Sequence, residues 1–161
     1  MNGSALAPGL LFASLGLFLS FGASRRVMMF SLAAMLAAAL VAGVTPVGPQ
    51  NLPEVLIGCW ISLFAAVVCA YLPAPVGYRI AVPLCVNGGL WAGLALAASG
   101  DRLALVPAVL WAGLCVPGAW LVRGGRGIVV KVAGSWLAAA AILSLGLNMT
   151  PTLGYEPDHR E

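Results

Sequence analysis

The chain has 161 residues, of which 61% are hydrophobic and only 8% are charged, and its mean hydropathy is +1.02. A soluble domain carries roughly a quarter charged residues to cover its core, so this composition excludes a soluble globular protein. The net charge of +3 does not indicate nucleic-acid binding, because the longest basic run is Arg25-Arg26 and no basic patch alternates with aromatic residues. We therefore expect an integral membrane protein that contacts the lipid bilayer directly.

Proline, glycine and charged residues divide the chain into six apolar segments, each about long enough to cross the hydrocarbon region as a helix. The predicted spans cover residues 5–23, 27–47, 55–72, 80–99, 103–122 and 128–149. Their polarity does not alternate as it does in the strands of a membrane barrel. We predict an all-α six-helix transmembrane domain with short loops over residues 1–149, followed by a polar C-terminal tail over residues 150–161.

The distribution of cations predicts the orientation of these spans. With the N-terminus outside, six of the eight Lys and Arg residues face the cytoplasm, where short cation-rich loops are retained. These six are Arg25, Arg26, Arg79, Arg123, Arg126 and Lys131. The remaining two cations and all five acidic residues then lie outside. The first arginines follow the first apolar run, which argues against a cleaved signal peptide. We expect both termini to be periplasmic, and the compact, Ala-, Gly- and Leu-rich chain suggests a bacterial inner membrane.

Two charged residues lie within or beside predicted spans. Lys131 enters the sixth span, where its stem can snorkel to the headgroups or its charge can form an anion or counter-ion site. The stretch "SGDRLALVPAVLWAG" (99–113) resembles the Gly-x-Gly-Asp region of membrane aspartyl prepilin peptidases, with Ala98 replacing the first glycine. Such enzymes need a second carboxylate, and only Asp158 in the tail accompanies Asp101. We therefore interpret Asp101 as a hairpin tip and do not expect an enzyme.

The sequence predicts no metal or cofactor. The four cysteines form no Cys-x-x-Cys pair, and the single His159 lies in the tail. Cys69, Cys85 and Cys115 fall at similar depth in their spans, so a soft-metal site is the alternative to simple packing.

Asn87 is the best candidate for a functional polar residue within the spans, because it lies near mid-membrane beside Gly88 and Gly89. Together with Trp91 and Trp111 it would line a ligand site or pathway. An indole N–H at that depth needs an acceptor, and core packing is the alternative role of both tryptophans.

Small residues at a spacing of four predict close contacts between helices. Gly89 and Gly93 form a Gly-x-x-x-Gly pattern, and Ala34 and Ala38 repeat the same spacing.

Two functions are consistent with these patterns. We favour a non-catalytic subunit or accessory factor that associates with other membrane proteins or with itself, because ionisable groups inside the spans are few. The alternative is a small transporter or channel with a midplane site near Asn87. An inverted three-plus-three repeat would support it, since residues 9–17 align with 88–96 and 58–63 with 134–139.

Overall fold

The computed structural model describes residues 3–21, 24–71, 77–100 and 105–149, which are helical or in turns and contain no strand. The helices are α1 (Gly3–Ser20), α2 (Arg25–Gly43), α3 (Leu52–Tyr71), α4 (Tyr78–Ser99), α5 (Leu105–Ala112), α6 (Cys115–Arg123) and α7 (Gly127–Met149). Within these described ranges, five segments are long and apolar enough to cross a membrane, and a shorter apolar helix covers Ala7–Ser20. The all-α class is confirmed, and the five apolar helices indicate a membrane protein. Asp101, Arg102 and the tail lie outside the described residues.

Local signals set the ends of several helices. The Ser24 hydroxyl caps α2 by accepting a hydrogen bond from the Val27 N–H at 3.3 Å. A short 3-10 turn, Pro49–Asn51, leads into α3, which carries Glu54 in its first turn. Helix α4 is capped at its C-terminal end by Gly100, whose φ of 73° is in the left-handed region that glycine adopts without a steric penalty.

The predicted span over residues 103–122 is divided into two helices, α5 and α6, joined by a tight turn. The Gly113 N–H donates to the Leu110 carbonyl at 3.0 Å, three residues back instead of four. Pro117 has no N–H to donate to the Gly113 carbonyl, and the Val116 N–H bonds this carbonyl instead at 3.0 Å. The proline thus contributes to the interruption, together with the turn at Gly113.

Helices α2 and α4 run parallel and approach closely along a line of small residues. An ideal Cβ on Gly89 would overlap the Met35 carbonyl oxygen, and one on Gly93 would overlap the Ala39 carbonyl oxygen. Both contact positions advance by four residues in the same direction, so the two helices are parallel. Only glycine permits this backbone-to-backbone approach at the two α4 positions.

Helix α1 lies in the middle of the bundle and contacts α3, α4, α5, α6 and α7. Five of its large side chains are at most 1% exposed, namely Leu11, Phe12, Leu15, Phe18 and Leu19, and Leu10 and Leu17 are partly buried. A helix that is apolar on every side is stable where every side is covered, which explains its central position.

A polar contact also joins α1 to the interrupted pair α5 and α6. The Ser20 hydroxyl lies 3.1 Å from the Gly16 carbonyl oxygen and 3.3 Å from the Cys115 carbonyl oxygen, and it can donate to either. An ideal Cβ on Gly16 would lie only 2.8 Å from the Ala112 carbonyl oxygen. The close fit of α1 therefore coincides with the turn where α5 ends.

One end of the bundle, the cationic end, collects six basic residues. Helices α1 and α7 meet there, because the Lys131 ammonium lies 5.8 Å from the centroid of the Phe21 ring. Helices α2 and α4 begin there, with the Phe30 and Tyr78 rings 6.1 Å apart in an edge-to-face contact. The six are Arg25, Arg26, Arg79, Arg123, Arg126 and Lys131. Glu54, the one carboxylate side chain among the described residues, lies at the opposite end.

Candidate functional site

A polar pair joins α3 and α4 near the middle of both helices. The Asn87 side-chain N–H donates to the Ser62 hydroxyl oxygen at 2.7 Å. Ser62 is only 2% exposed, whereas Asn87 is exposed at the outside of the bundle. An asparagine amide offers two N–H donors and a carbonyl acceptor, so this bond uses only part of its capacity. The rest of the amide lies at the exposed outer surface of the bundle, about halfway along two helices that are long and apolar enough to cross a membrane.

Trp91 lies one turn further along α4 and packs against α3 at Gly58. An ideal Cβ on Gly58 would overlap the indole, so the missing side chain makes room for the ring. As α4 advances from Asn87 to Trp91, its α3 partner moves back from Ser62 to Gly58, which shows that the two helices are antiparallel.

Two exposed apolar residues flank the polar pair. Leu90 on α4 is 40% exposed and Ile61 on α3 is 64% exposed. We refer to Ile61, Ser62, Asn87, Leu90 and Trp91 together as the α3–α4 face. Ser62 was not predicted from the sequence, where its one signal is a hydroxyl in the middle of an apolar span.

Trp111 belongs to a different part of the bundle. Its indole packs against α1, where an ideal Cβ on Gly9 would lie 3.6 Å from the ring. The structure therefore brings Asn87 and Trp91 to one helix pair and places Trp111 on another.

Lys131 is partly buried at the cationic end between two aromatic rings. Its ammonium lies 5.6 Å from the Tyr71 ring centroid and 5.8 Å from that of Phe21, within the range of a cation–π interaction. The Tyr71 hydroxyl donates to the Lys131 carbonyl oxygen at 2.9 Å, and the Ser135 hydroxyl lies 2.5 Å from the Tyr71 hydroxyl. Lys131 thus links α7 to α1 and α3.

The small residues predicted to pack lie between α2 and α4. Gly89 and Gly93 are buried, and an ideal Cβ on Gly89 would lie 3.1 Å from the Ala38 Cβ. Ala34 and Ala38 are half-buried at the edge of the contact. The buried stripe of α2 consists of Val27, Ser31, Met35, Ala39 and Ala42.

The four cysteines lie on α3, α4 and α6. Among the described residues, which include all four cysteines, no three His, Cys, Asp or Glu residues are placed to hold a metal ion. Cys69, Cys85 and Cys115 are therefore not grouped as three metal ligands, and the structure gives no support to the soft-metal alternative. All four thiols are free, and Cys59, Cys85 and Cys115 are buried.

The interior of the described bundle is almost entirely apolar. Its buried polar side chains are four serines, and no charged side chain of the described residues is buried. These serines are Ser14, Ser20, Ser31 and Ser62. The Ser31 hydroxyl alone has no hydrogen-bond partner among the described buried side chains. Nothing in this interior resembles the ionisable chains that line proton and ion pathways.

No known family model matches the chain, and no characterised protein or solved structure is significantly similar to it. Its function must therefore be argued from the placement of its own residues. The α3–α4 face is the candidate site, because it exposes a polar group at mid-span.

Proposed function

We propose that the chain is a non-catalytic subunit or assembly factor that binds a helix of a larger membrane complex through its α3–α4 face. The observation that carries the proposal is the outward amide of Asn87, held by buried Ser62. The amide groups that Ser62 does not bond would be unpaired in hydrocarbon, and leaving a buried polar group unsatisfied costs about 1–3 kcal/mol. A partner helix with Ser, Thr, Asn or Gln opposite Asn87 would complete its hydrogen bonds.

Large side chains fill the interior of the bundle, which favours this proposal over a transport function. Leu11, Phe12 and Leu15 of α1 occupy the middle of the bundle and are fully buried. A small transporter or channel with a site near Asn87, the alternative function, would need a pathway between the chain and another subunit. An inverted repeat would also pair α1 with α4, yet α1 is enclosed while α4 exposes Asn87 and Leu90.

The proposal includes a six-span topology in a bacterial inner membrane, with the cationic end in the cytoplasm and both termini outside. The collection of six cations at one end supports this orientation, since such loops stay cytoplasmic. Helix α1 counts as the first span and α5 with α6 as the fifth. The 18 residues of α1 extend about 27 Å, slightly less than a hydrocarbon core of about 30 Å. Neighbouring helices enclose α1, so it can tolerate this mismatch.

Site-specific photo-crosslinking in intact cells tests the proposal. A photoreactive amino acid replaces Leu90 or Ile61, and the matched control replaces Ile142, which is 60% exposed on α7. We expect the two face positions to give one adduct of a single unrelated protein, identified by mass spectrometry after gentle solubilisation. The control position should give little of that adduct.

An Asn87→Leu variant tests the contribution of the amide to binding separately from that of the surrounding apolar contacts. We expect it to reach normal membrane levels but to lose at least tenfold in adduct yield, while Asn87→Gln retains most of it. An adduct of twice the mass of the chain would instead show self-association. Equal labelling at all three positions, or a lone monomer after mild extraction, would show that the accessory-factor proposal is wrong.

A further inference from the structure

A cavity of about 400 Å³ opens where α6 turns into α7, at the cationic end. Its walls are formed by Trp120, Leu121, Arg123, Gly124 and Arg126. The volume falls within the roughly 300–1,000 Å³ of small-ligand sites. Trp120 is 69% exposed, and both arginines are exposed as well. Two cationic side chains therefore share an open cavity with one broad apolar ring.

The backbone holds the two arginines in a defined arrangement. The Arg126 N–H donates to the Leu121 carbonyl at 2.9 Å, and the Gly125 N–H donates to the Val122 carbonyl at 3.1 Å. Gly125 has a φ of 76°, so the turn is a Schellman motif with glycine in the left-handed position. Helix α7 begins at the next residue after Arg126. The arginines therefore project from a short hydrogen-bonded turn between two helices.

The charge around the cavity favours an anion. Glu54, the one carboxylate side chain among the described residues, is at the opposite end of the bundle. A guanidinium group presents a planar fork of donors that matches the oxygens of a phosphate. Trp120 adds an amphipathic ring of the kind that sits at the level of lipid headgroups.

We propose that this cavity binds the phosphate of an anionic phospholipid, with Arg123 and Arg126 donating to its oxygens. The Trp120 ring and Leu121 then contact the glycerol and the first methylenes of the lipid. The same arginines could hold a soluble phosphate, but an apolar wall at headgroup depth favours the lipid. This site is independent of the α3–α4 face, and its test does not depend on a protein partner.

Native mass spectrometry of the full chain in detergent provides the test, because it counts bound lipids one at a time. The probes are phosphatidylglycerol, with phosphatidylcholine as the zwitterionic comparison. Arg123→Gln/Arg126→Gln removes the cavity cations. Arg25→Gln/Arg26→Gln removes two cations from the same end but outside the cavity, and therefore controls for net charge.

We expect wild type to bind one phosphatidylglycerol in preference to phosphatidylcholine, and the cavity variant to lose about 25-fold in affinity. The Arg25→Gln/Arg26→Gln control should stay within about twofold, and unchanged thermal unfolding of both variants would exclude misfolding. Equal losses in the two variants, or no preference between the lipids, would overturn the site. Displacement of the lipid by inorganic phosphate would overturn the lipid assignment and show a site for a soluble phosphate.

Discussion

Replacing Gly93 by alanine should separate α2 from α4. An ideal Cβ at this position would overlap the Ala39 carbonyl oxygen and lie 2.8 Å from the Ala42 Cβ. Ordinary carbon–carbon contacts lie at about 3.5–4.0 Å, so the helices must move apart by about 1 Å locally. The obstructing group is a backbone carbonyl, which cannot rotate away as a side chain would.

The size of the effect follows from two opposing contributions. Overpacking destabilises a protein by about 1–3 kcal/mol, and a backbone obstruction belongs at the upper end of that range. The better helix propensity of alanine offsets about 1 kcal/mol. We therefore expect Gly93→Ala to lower the free energy of unfolding by about 2 kcal/mol. Gly89→Ala should act similarly, and one displacement relieves both clashes, so the double variant should lose less than the sum.

Thermal unfolding in detergent, followed with a thiol-reactive fluorogenic maleimide, measures the change. Cys59, Cys85 and Cys115 are buried in the folded protein and react once it unfolds. A loss of about 2 kcal/mol corresponds to a midpoint lower by about 4–8 °C. The matched control is Gly134→Ala on α7, where an added Cβ has no neighbour within 4 Å. If Gly93→Ala unfolds at the same temperature as this control, the contact between α2 and α4 is not close enough to exclude a methyl group.

Four further predictions concern single side chains. Ser31→Ala should raise the free energy of unfolding by about 1 kcal/mol, because the hydroxyl is buried without a hydrogen-bond partner. A lower free energy of unfolding in the same assay would show that the hydroxyl is hydrogen-bonded. Ser62→Ala should lower it by about 0.6 kcal/mol by removing the Asn87 bond, and no change would contradict a contribution from that bond. Lys131→Met should lower it by about 1 kcal/mol while Lys131→Arg preserves it, and equal losses would exclude a cation–π contribution. In the folded protein Cys69, the least buried thiol, should react first with maleimide; rapid labelling that persists in Cys69→Ser would refute this ranking.

The membrane class follows from the sequence, but the position of each helix within the bundle does not. Helices α1 and α7 are both strongly apolar, and neither has a pronounced polar face. Phe12 and Phe18 of α1 are nevertheless fully buried, while Ile128 and Trp136 of α7 are exposed. Lipid tails are as apolar as a protein core, so hydrophobicity alone cannot separate a central helix from a peripheral one.

In the candidate site, too, the sequence identifies a residue but does not give its orientation or its partners, which depend on helix packing. Asn87 stands out as a polar residue within an apolar span, but its spacing does not reveal whether it faces inward or outward. The structure turns it outward against Ser62 and places Trp111 on another helix pair. The spacing of Gly89 and Gly93 indicates a close helix contact without naming the partner, which is α2. Pro107 and Pro117 mark residues 103–122 as unusual, yet the interruption also depends on the turn at Gly113.

The central place of α1 has a consequence for biogenesis. The ribosome makes α1 before any of the helices that surround it, and its hydroxyl at Ser20 meets the Cys115 carbonyl 95 residues later. Until α5 and α6 have entered the bilayer, one flank of α1 faces lipid or the insertion machinery. The central helix of the bundle is therefore inserted first, and one of its flanks is covered only after α5 and α6 have been inserted. Mutations in α6 should consequently expose α1 to membrane quality-control proteases while leaving the insertion of α1 itself unchanged.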